Sequence, residues 1–364
     1  MRTTHALVQL AVVRLSTTCL SAVLIVCAIG SGPARAVEPG QTTVGGKGFF
    51  DVTSIDETSN GVKTDASGIG LDVKRFYIAV DHGFDKTWAA NITTDFNYVS
   101  NDAETQLFVK KAYVEGKFNN AFTLRVGSAD VPLVPFVEGL YGNRYIENVL
   151  VEHLSLEASA DWGVHTLGAF GGGKVHYAVS AISGAGYKTP TRSESLDFDG
   201  RIDFEPVDGL TLALFYRTGK RGLDKQTVTT FHTADRSEFL AAYVKPKFRV
   251  GVEYFQADNW NQVTSPLSDS ADGYSVWGAF NLKKNLSVFA RYDDAKPSKD
   301  LAPNLQNTYY NLGVAYTPVP KVDLAFVYKQ DKVDNGFYKT TNGTLGGTTS
   351  GTHNELGVWI QVSY

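Results

Sequence analysis

The sequence predicts an all-β fold: a transmembrane antiparallel β-barrel of about sixteen strands. Three observations predict it. Apolar and polar residues alternate with period two along one segment after another. Short turns alternate with long loops from end to end. The chain opens with an export signal, and no later stretch approaches the ~18 consecutive apolar residues of a membrane helix.

Arg2 and Arg14 precede a short apolar run, Cys19 to Ile29, followed by Gly30, Pro33 and Ala34-Arg35-Ala36. A positive start, a short apolar middle and a small-x-small site describe a secretory signal peptide cut after Ala36, leaving residues 37–364 as one barrel. The run is shorter than the ~20 residues that span a bilayer as a helix.

The leader holds both cysteines, so disulfides, thiol catalysis and cysteine-ligated metals are excluded from the mature chain. It also holds three of the 34 basic residues and no acid, which leaves 31 basic against 38 acidic residues, a balance of −7. No basic field points to nucleic acid. The 35 glycines, 18 tyrosines and 21 phenylalanines suit a pleated sheet. A mean hydropathy of −0.15 fits a barrel, in which only alternate residues meet lipid.

The last segment is the clearest strand. Leu356, Val358, Ile360, Val362 and Tyr364 share one parity, and Gly357, Trp359, Gln361 and Ser363 the other. Phe198–Phe204, Leu210–Tyr216, Phe248–Tyr254 and Val322–Tyr328 repeat the alternation. Short turns are expected near 82–86, 119–121, 171–174, 206–209, 245–247, 283–285 and 317–321. Long loops are expected near 53–67, 99–104, 131–160, 185–195, 219–235, 257–272, 294–306 and 332–352. Seven turns and eight loops connect sixteen strands, with both termini on the short-turn, periplasmic side. Phe84, Trp88, Phe118, Phe122, Phe204, Phe248, Phe280, Tyr316 and Tyr364 cluster beside the short turns, as an interfacial aromatic ring would. About sixteen strands leave an aqueous lumen, whereas about eight are filled by side chains.

The third long loop, 131–160, exceeds ordinary loop length and carries Glu138, Arg144, Glu147, Glu152, His153 and Glu157. It could fold inward as a constriction or remain outside. Leu124-Arg125-Val126-Gly127-Ser128-Ala129-Asp130-Val131-Pro132, Asn143-Arg144-Tyr145-Ile146-Glu147 and Asp161-Trp162-Gly163-Val164 together resemble the phosphate-selective porin O and P family of Gram-negative outer membranes. The likeness of motifs covers about forty residues. It implies a sixteen-stranded homotrimeric porin with loop three inside the pore.

Parity places Arg125, Lys174, Arg201, Arg217, Arg249, Arg291 and Lys329 inside, together with Glu115, Asp199, Asp203, Glu205, Glu253, Asp293 and Asp323. With Glu138, Arg144 and Glu147 of loop three, the cations are the candidate selectivity residues. The mixture of signs suggests a transverse field more than an anion ladder, although inward charges can also pair to brace the wall. The expected function is passive diffusion of small ions and hydrophilic solutes across the outer membrane, anions such as phosphate among them. The expected partners are outer-membrane lipids, the solutes themselves and two further copies of the chain, with no cofactor and no nucleic acid. The alternatives are a non-conducting adhesive or structural barrel, with the Thr/Gly-rich stretch 339–354 as a mobile contact loop, and a barrel enzyme. His153 and Ser155 alone make no triad, no G-x-S-x-G occurs, and Gly171-Gly172-Gly173-Lys174 fits no phosphate-loop pattern.

Overall fold

A computed structural model describes residues 37–98 and 105–364. The expected leader, residues 1–36, and the expected loop at 99–104 lie outside the described residues. The strands are β1 Thr42–Ser59, β2 Gly68–Gly83, β3 Trp88–Tyr98, β4 Thr105–Asn119, β5 Phe122–Asp130, β6 Ala160–Phe170, β7 Val175–Ile182 and β8 Asp197–Phe204. They continue as β9 Leu210–Gly219, β10 Ala234–Lys245, β11 Phe248–Asp258, β12 Ser270–Lys283, β13 Leu286–Lys296, β14 Gln306–Val319, β15 Val322–Thr340 and β16 Gly343–Ser363. Each pairs antiparallel with its neighbours in sequence. β16 then pairs with β1 from Lys47↔Ser363 to Ser59↔Gly351, so the sheet closes on itself and leaves no edge. A two-residue extension, Val62–Lys63, folds back on the end of β1. Among the described residues no helix is long and apolar enough to cross a membrane.

Alternation turns the barrel inside out relative to a globular core. Along β11, Val250, Val252 and Tyr254 are exposed outward while Glu253 and Phe255 are buried inward. Along β9, Leu214 and Tyr216 face out while Phe215 and Arg217 face in. The outer surface is thus a band of large apolar residues, as lipid requires, and the inner surface is charged. At the short-turn end Trp88, Phe118 and Phe122 form an outward chain of ring contacts, with centroids 5.7 and 5.6 Å apart.

Two connections differ from the sequence expectation. The stretches 53–67 and 332–352 are largely strand, because β1 runs on to Ser59 and the β15–β16 hairpin closes in a tight turn at Thr341–Asn342. Alternating Thr and Gly read as loop composition, yet Lys339↔Thr344 and Thr340↔Gly343 pair in register.

Loop three supplies the helices, α1 Val134–Tyr141 and α2 Leu150–His153. Pro135 sits in the first turn of α1, and Gly142 ends it in the left-handed conformation (φ 79°), donating its N–H to the Glu138 carbonyl at 2.9 Å. Val134, Val137, Leu140, Leu150 and Leu154 pack against the inward residues Phe215, Leu240, Phe255 and Trp277. One apolar cluster therefore lies between loop three and the inner wall of β9–β12, and a second joins Tyr145 and Ile146 of the loop to Phe289, Val327 and Trp359.

Candidate functional site

Loop three is held to the wall by a row of inward cations. Arg201 donates to the Pro132 carbonyl (2.9 Å), Arg249 to Leu140 (3.1 Å), Arg291 to Asn148 (2.5 Å) and Arg236 to Leu156 (2.9 Å). Glu157 bridges Arg217 and Arg236, and Arg217 also pairs with Asp197 at 2.9 Å. Lys329 lies between Glu147 (3.3 Å) and Glu355 (2.6 Å). Guanidinium groups suit this work, since a fixed fork of donors can satisfy a carbonyl and a carboxylate together. Gly142 makes room for it: a Cβ there would fall 1.8 Å from Nη1 of Arg249.

The expected site residues therefore divide. Arg201, Arg217, Arg249, Arg291 and Lys329 converge on loop three and anchor it. Arg125 is paired with Glu115 at 2.8 Å on β5 and β4. Arg201 also pairs with Asp203 at 2.8 Å, and Arg291 with Asp293 at 2.5 Å. Glu147 sits in the loop's anchored side, while Glu138 and Arg144 form an ion pair with each other, with Glu152 at 3.5 Å from Arg144. Lys174 is a correction. It lies exposed on the Gly171–Lys174 turn, outside the lumenal rows, because pairing of β7 begins only at Val175. Glu205 is likewise exposed, at the end of β8.

Facing the Glu138–Arg144–Glu152 cluster is a group of cations that parity alone does not find. Lys110 of β4 donates to the Tyr77 hydroxyl (3.3 Å) and lies 4.6 Å from the centre of that ring. Lys188, from the connection after β7, lies over Phe108 (4.9 Å) and Tyr187 (5.8 Å). Arg75 of β2 lies 3.8 Å from Asp95, and Tyr187 also donates to Asp95 (3.1 Å). Among the described residues no ion-pair carboxylate neutralises Lys110 or Lys188. Arg75 and Lys110 act electrostatically on Glu152, and Lys110 on Glu138, so the basic wall and the acidic loop confront each other across the lumen.

Two β-bulges put Arg75 and Lys110 there. Phe49 pairs with Arg75 and Phe50 with Val73, which leaves Lys74 as an extra residue. Thr93 pairs with Lys111 and Thr94 with Val109, which leaves Lys110 extra. A bulge sends two consecutive side chains to the same face. Lys74 approaches inward Asp51 at 3.4 Å and Lys111 pairs with Asp130 at 2.6 Å, so both members of Lys74-Arg75 and of Lys110-Lys111 point inside. The sequence signal was present: in a regular strand one cation of each adjacent pair would face lipid, at a depth-dependent cost of up to ~2–4 kcal/mol. Among the described residues no group of three or more His, Cys, Asp or Glu is arranged to hold a metal ion.

Among solved structures the chain is similar to the outer-membrane channel DcaP of Acinetobacter baumannii, at 14% identity and a TM-score of 0.64, over 90% of this chain and 98% of that one. It is also similar to an anion-selective porin from Comamonas acidovorans, at 12% identity and a TM-score of 0.62, over 89% and 99%. The fold is that of the outer-membrane porins. The trimer form of OmpT, an outer-membrane protein of Vibrio cholerae, shares this porin fold at 12% identity and a TM-score of 0.58, over 90% and 100%. No protein-family model and no curated protein matches the chain.

Proposed function

We propose that the chain is an outer-membrane porin through which small hydrophilic solutes diffuse passively, that anions are favoured, phosphate among them, and that it works as a homotrimer. The observation that carries the anion preference is the Arg75–Lys110–Lys188 cluster with its tyrosine frame, facing the Glu138–Arg144–Glu152 face of loop three. A basic wall opposite an acidic face produces a transverse field that orders charged solutes. Lys110 and Lys188 contribute cations with no carboxylate at ion-pair distance among the described residues, which tips the balance toward anions. Loop three narrows the passage because its outer helical surface is buried in the lumen and tied to the wall of β8–β15. The anion-selective porin with the same fold gives independent support, and the trimer form of OmpT supports the oligomer. The motif likeness around residues 124–164 supports phosphate among the anions. The adhesive reading loses its main support, since the Thr/Gly-rich stretch on which it stood is paired strand.

The test is the reversal potential of protein in a planar bilayer under a KCl gradient, repeated with phosphate. Stepwise conductance with anion preference and partial block by phosphate is expected. Cation preference would overturn the assigned polarity, absence of phosphate block would remove that solute, and absence of steps would overturn the pore itself.

A further inference from the structure

The β15–β16 hairpin does something its strand pairing does not require. Nine residues of extended strand cover about 30 Å, yet the Thr340 hydroxyl donates to Asp331 of its own strand at 2.8 Å. Asn342 donates to the same carboxylate at 3.1 Å. On the partner strand, a Cβ at Gly351 would lie 2.4 Å from the Gly346 backbone, five residues away. The hairpin is folded back on itself. The fold falls at a register shift between Asp334 and Gly336, where Asn335 (φ 59°), Gly336 (φ 154°) and, opposite them, Gly346 (φ 129°) take positive φ values.

Folding back brings the hairpin tip onto loop three. The Thr341 N–H donates to the His153 carbonyl at 2.9 Å. His153 Nδ1 lies 2.8 Å from the Thr341 hydroxyl, which in turn donates to Glu147 at 2.8 Å. Nε2 of His153 lies 3.3 Å from Asp331. The Tyr338 hydroxyl donates to the Leu154 carbonyl at 2.9 Å, and Leu345 is buried with Leu305 and Val333. Thr341 thus touches the backbone and a side chain of α2 and a carboxylate of the loop preceding it.

We infer that the tip of this hairpin, Thr340–Gly343, is a second inward-folded element that clamps loop three, with Thr341 as the positioning residue, so that the size of solute admitted is set by two elements together. The inference rests on the pore reading above. A tip that reached outward would leave α2 free at its end, whereas here His153 is enclosed by Thr341, Glu147 and Asp331.

Two variants test it. In the first, Gly336–Gly346 is replaced by a two-residue Asn-Gly turn, with heat-modifiable gel mobility reporting barrel closure. Single-channel conductance is expected to rise about twofold or more, and liposomes are expected to swell with larger sugars than the wild type admits. The second, H153C/T341C, lets the latch be broken and remade, because the described residues contain no cysteine of their own. Conductance is expected to rise in reductant and to return to the wild-type value on oxidation, while the wild type ignores reductant. Equal conductance and equal sugar exclusion in wild type and closed-barrel variants would overturn the clamp and leave the pore reading intact. No conductance from any form would overturn both.

Discussion

Arg291 illustrates what an inward arginine does in this barrel. Its guanidinium lies against Asp293 at 2.5 Å, donates to the Asn148 carbonyl at 2.5 Å, and is almost wholly buried. R291A would leave Asp293 buried without its cation, and removing one partner of such a pair costs roughly 3–5 kcal/mol. We expect a lowered unfolding midpoint and noisier open-channel current, with ion preference nearly unchanged; a changed preference at unaltered noise would place Arg291 on the solute path instead. Lys110 and Lys188 should behave in the opposite way. K110A and K188A are expected to lower the anion-to-cation permeability ratio by about two- to threefold each, without a fall in the midpoint. Reversal potentials beside thermal scans separate the two classes. His153 adds a dependence on pH. Burial alone would push its imidazole down, but Asp331 and Glu147 outweigh burial and hold it up at about 9, against an ordinary 6.5. Its stabilising charge is therefore present in full below pH 6.5 and is lost as pH rises through about 9. Glu147 carries the acid limb: burial acts upward, yet Lys329 and His153 hold it well below 4.5, so its contribution is present above that value and fails on acidification. Current noise in the wild type should rise from pH 6.5 to beyond 9, and H153Q should be flat over that range. A parallel rise in both would show that His153 is not the group responsible.

Loop three and the final hairpin show which elements the sequence discloses and which it does not. The length of 131–160 and its charged residues announced an unusual loop, and strict parity placed Arg201, Arg217, Arg249, Arg291 and Lys329 on the inner wall. Their task was not legible, because an inward cation reads the same whether it meets a solute or a carbonyl. Arg75 and Lys110 were missed for a different reason. A period-two reading fixes the face of every residue only while the register is unbroken, and one extra residue reverses the parity beyond it. The hairpin at 332–352 was read as loop because its glycines are weak indicators of strand, while its ladder is maintained by the pairing of its two strands with each other and by contacts to loop three. At this scale Gly142 is the sensitive position. G142A would strain a left-handed helix end and push Arg249 from the Leu140 carbonyl, so α1 should loosen at a cost of ~1–3 kcal/mol. Faster amide exchange confined to 134–142, with the strands still protected, is the expected signature, and unchanged exchange in α1 would contradict it.

At the scale of the molecule, sixteen strands and the outward aromatics could be read before any coordinates, because closure and an apolar exterior act on every strand alike, whereas the length of the last connection could not. Two surfaces with opposite demands share one chain: the exterior tolerates little but apolar residues, whereas the interior must hold paired and unpaired charge. The bulges at Lys74 and Lys110 relieve that conflict. A substitution within a regular strand can only exchange one lumenal side chain for another. A single inserted residue adds one, and the register of the flanking strand resumes with its lipid-facing row intact. Selectivity in such a wall can therefore change by insertion and deletion as readily as by point replacement, so two barrels with the same exterior and the same strand count can differ in lumenal charge through one-residue differences in strand length.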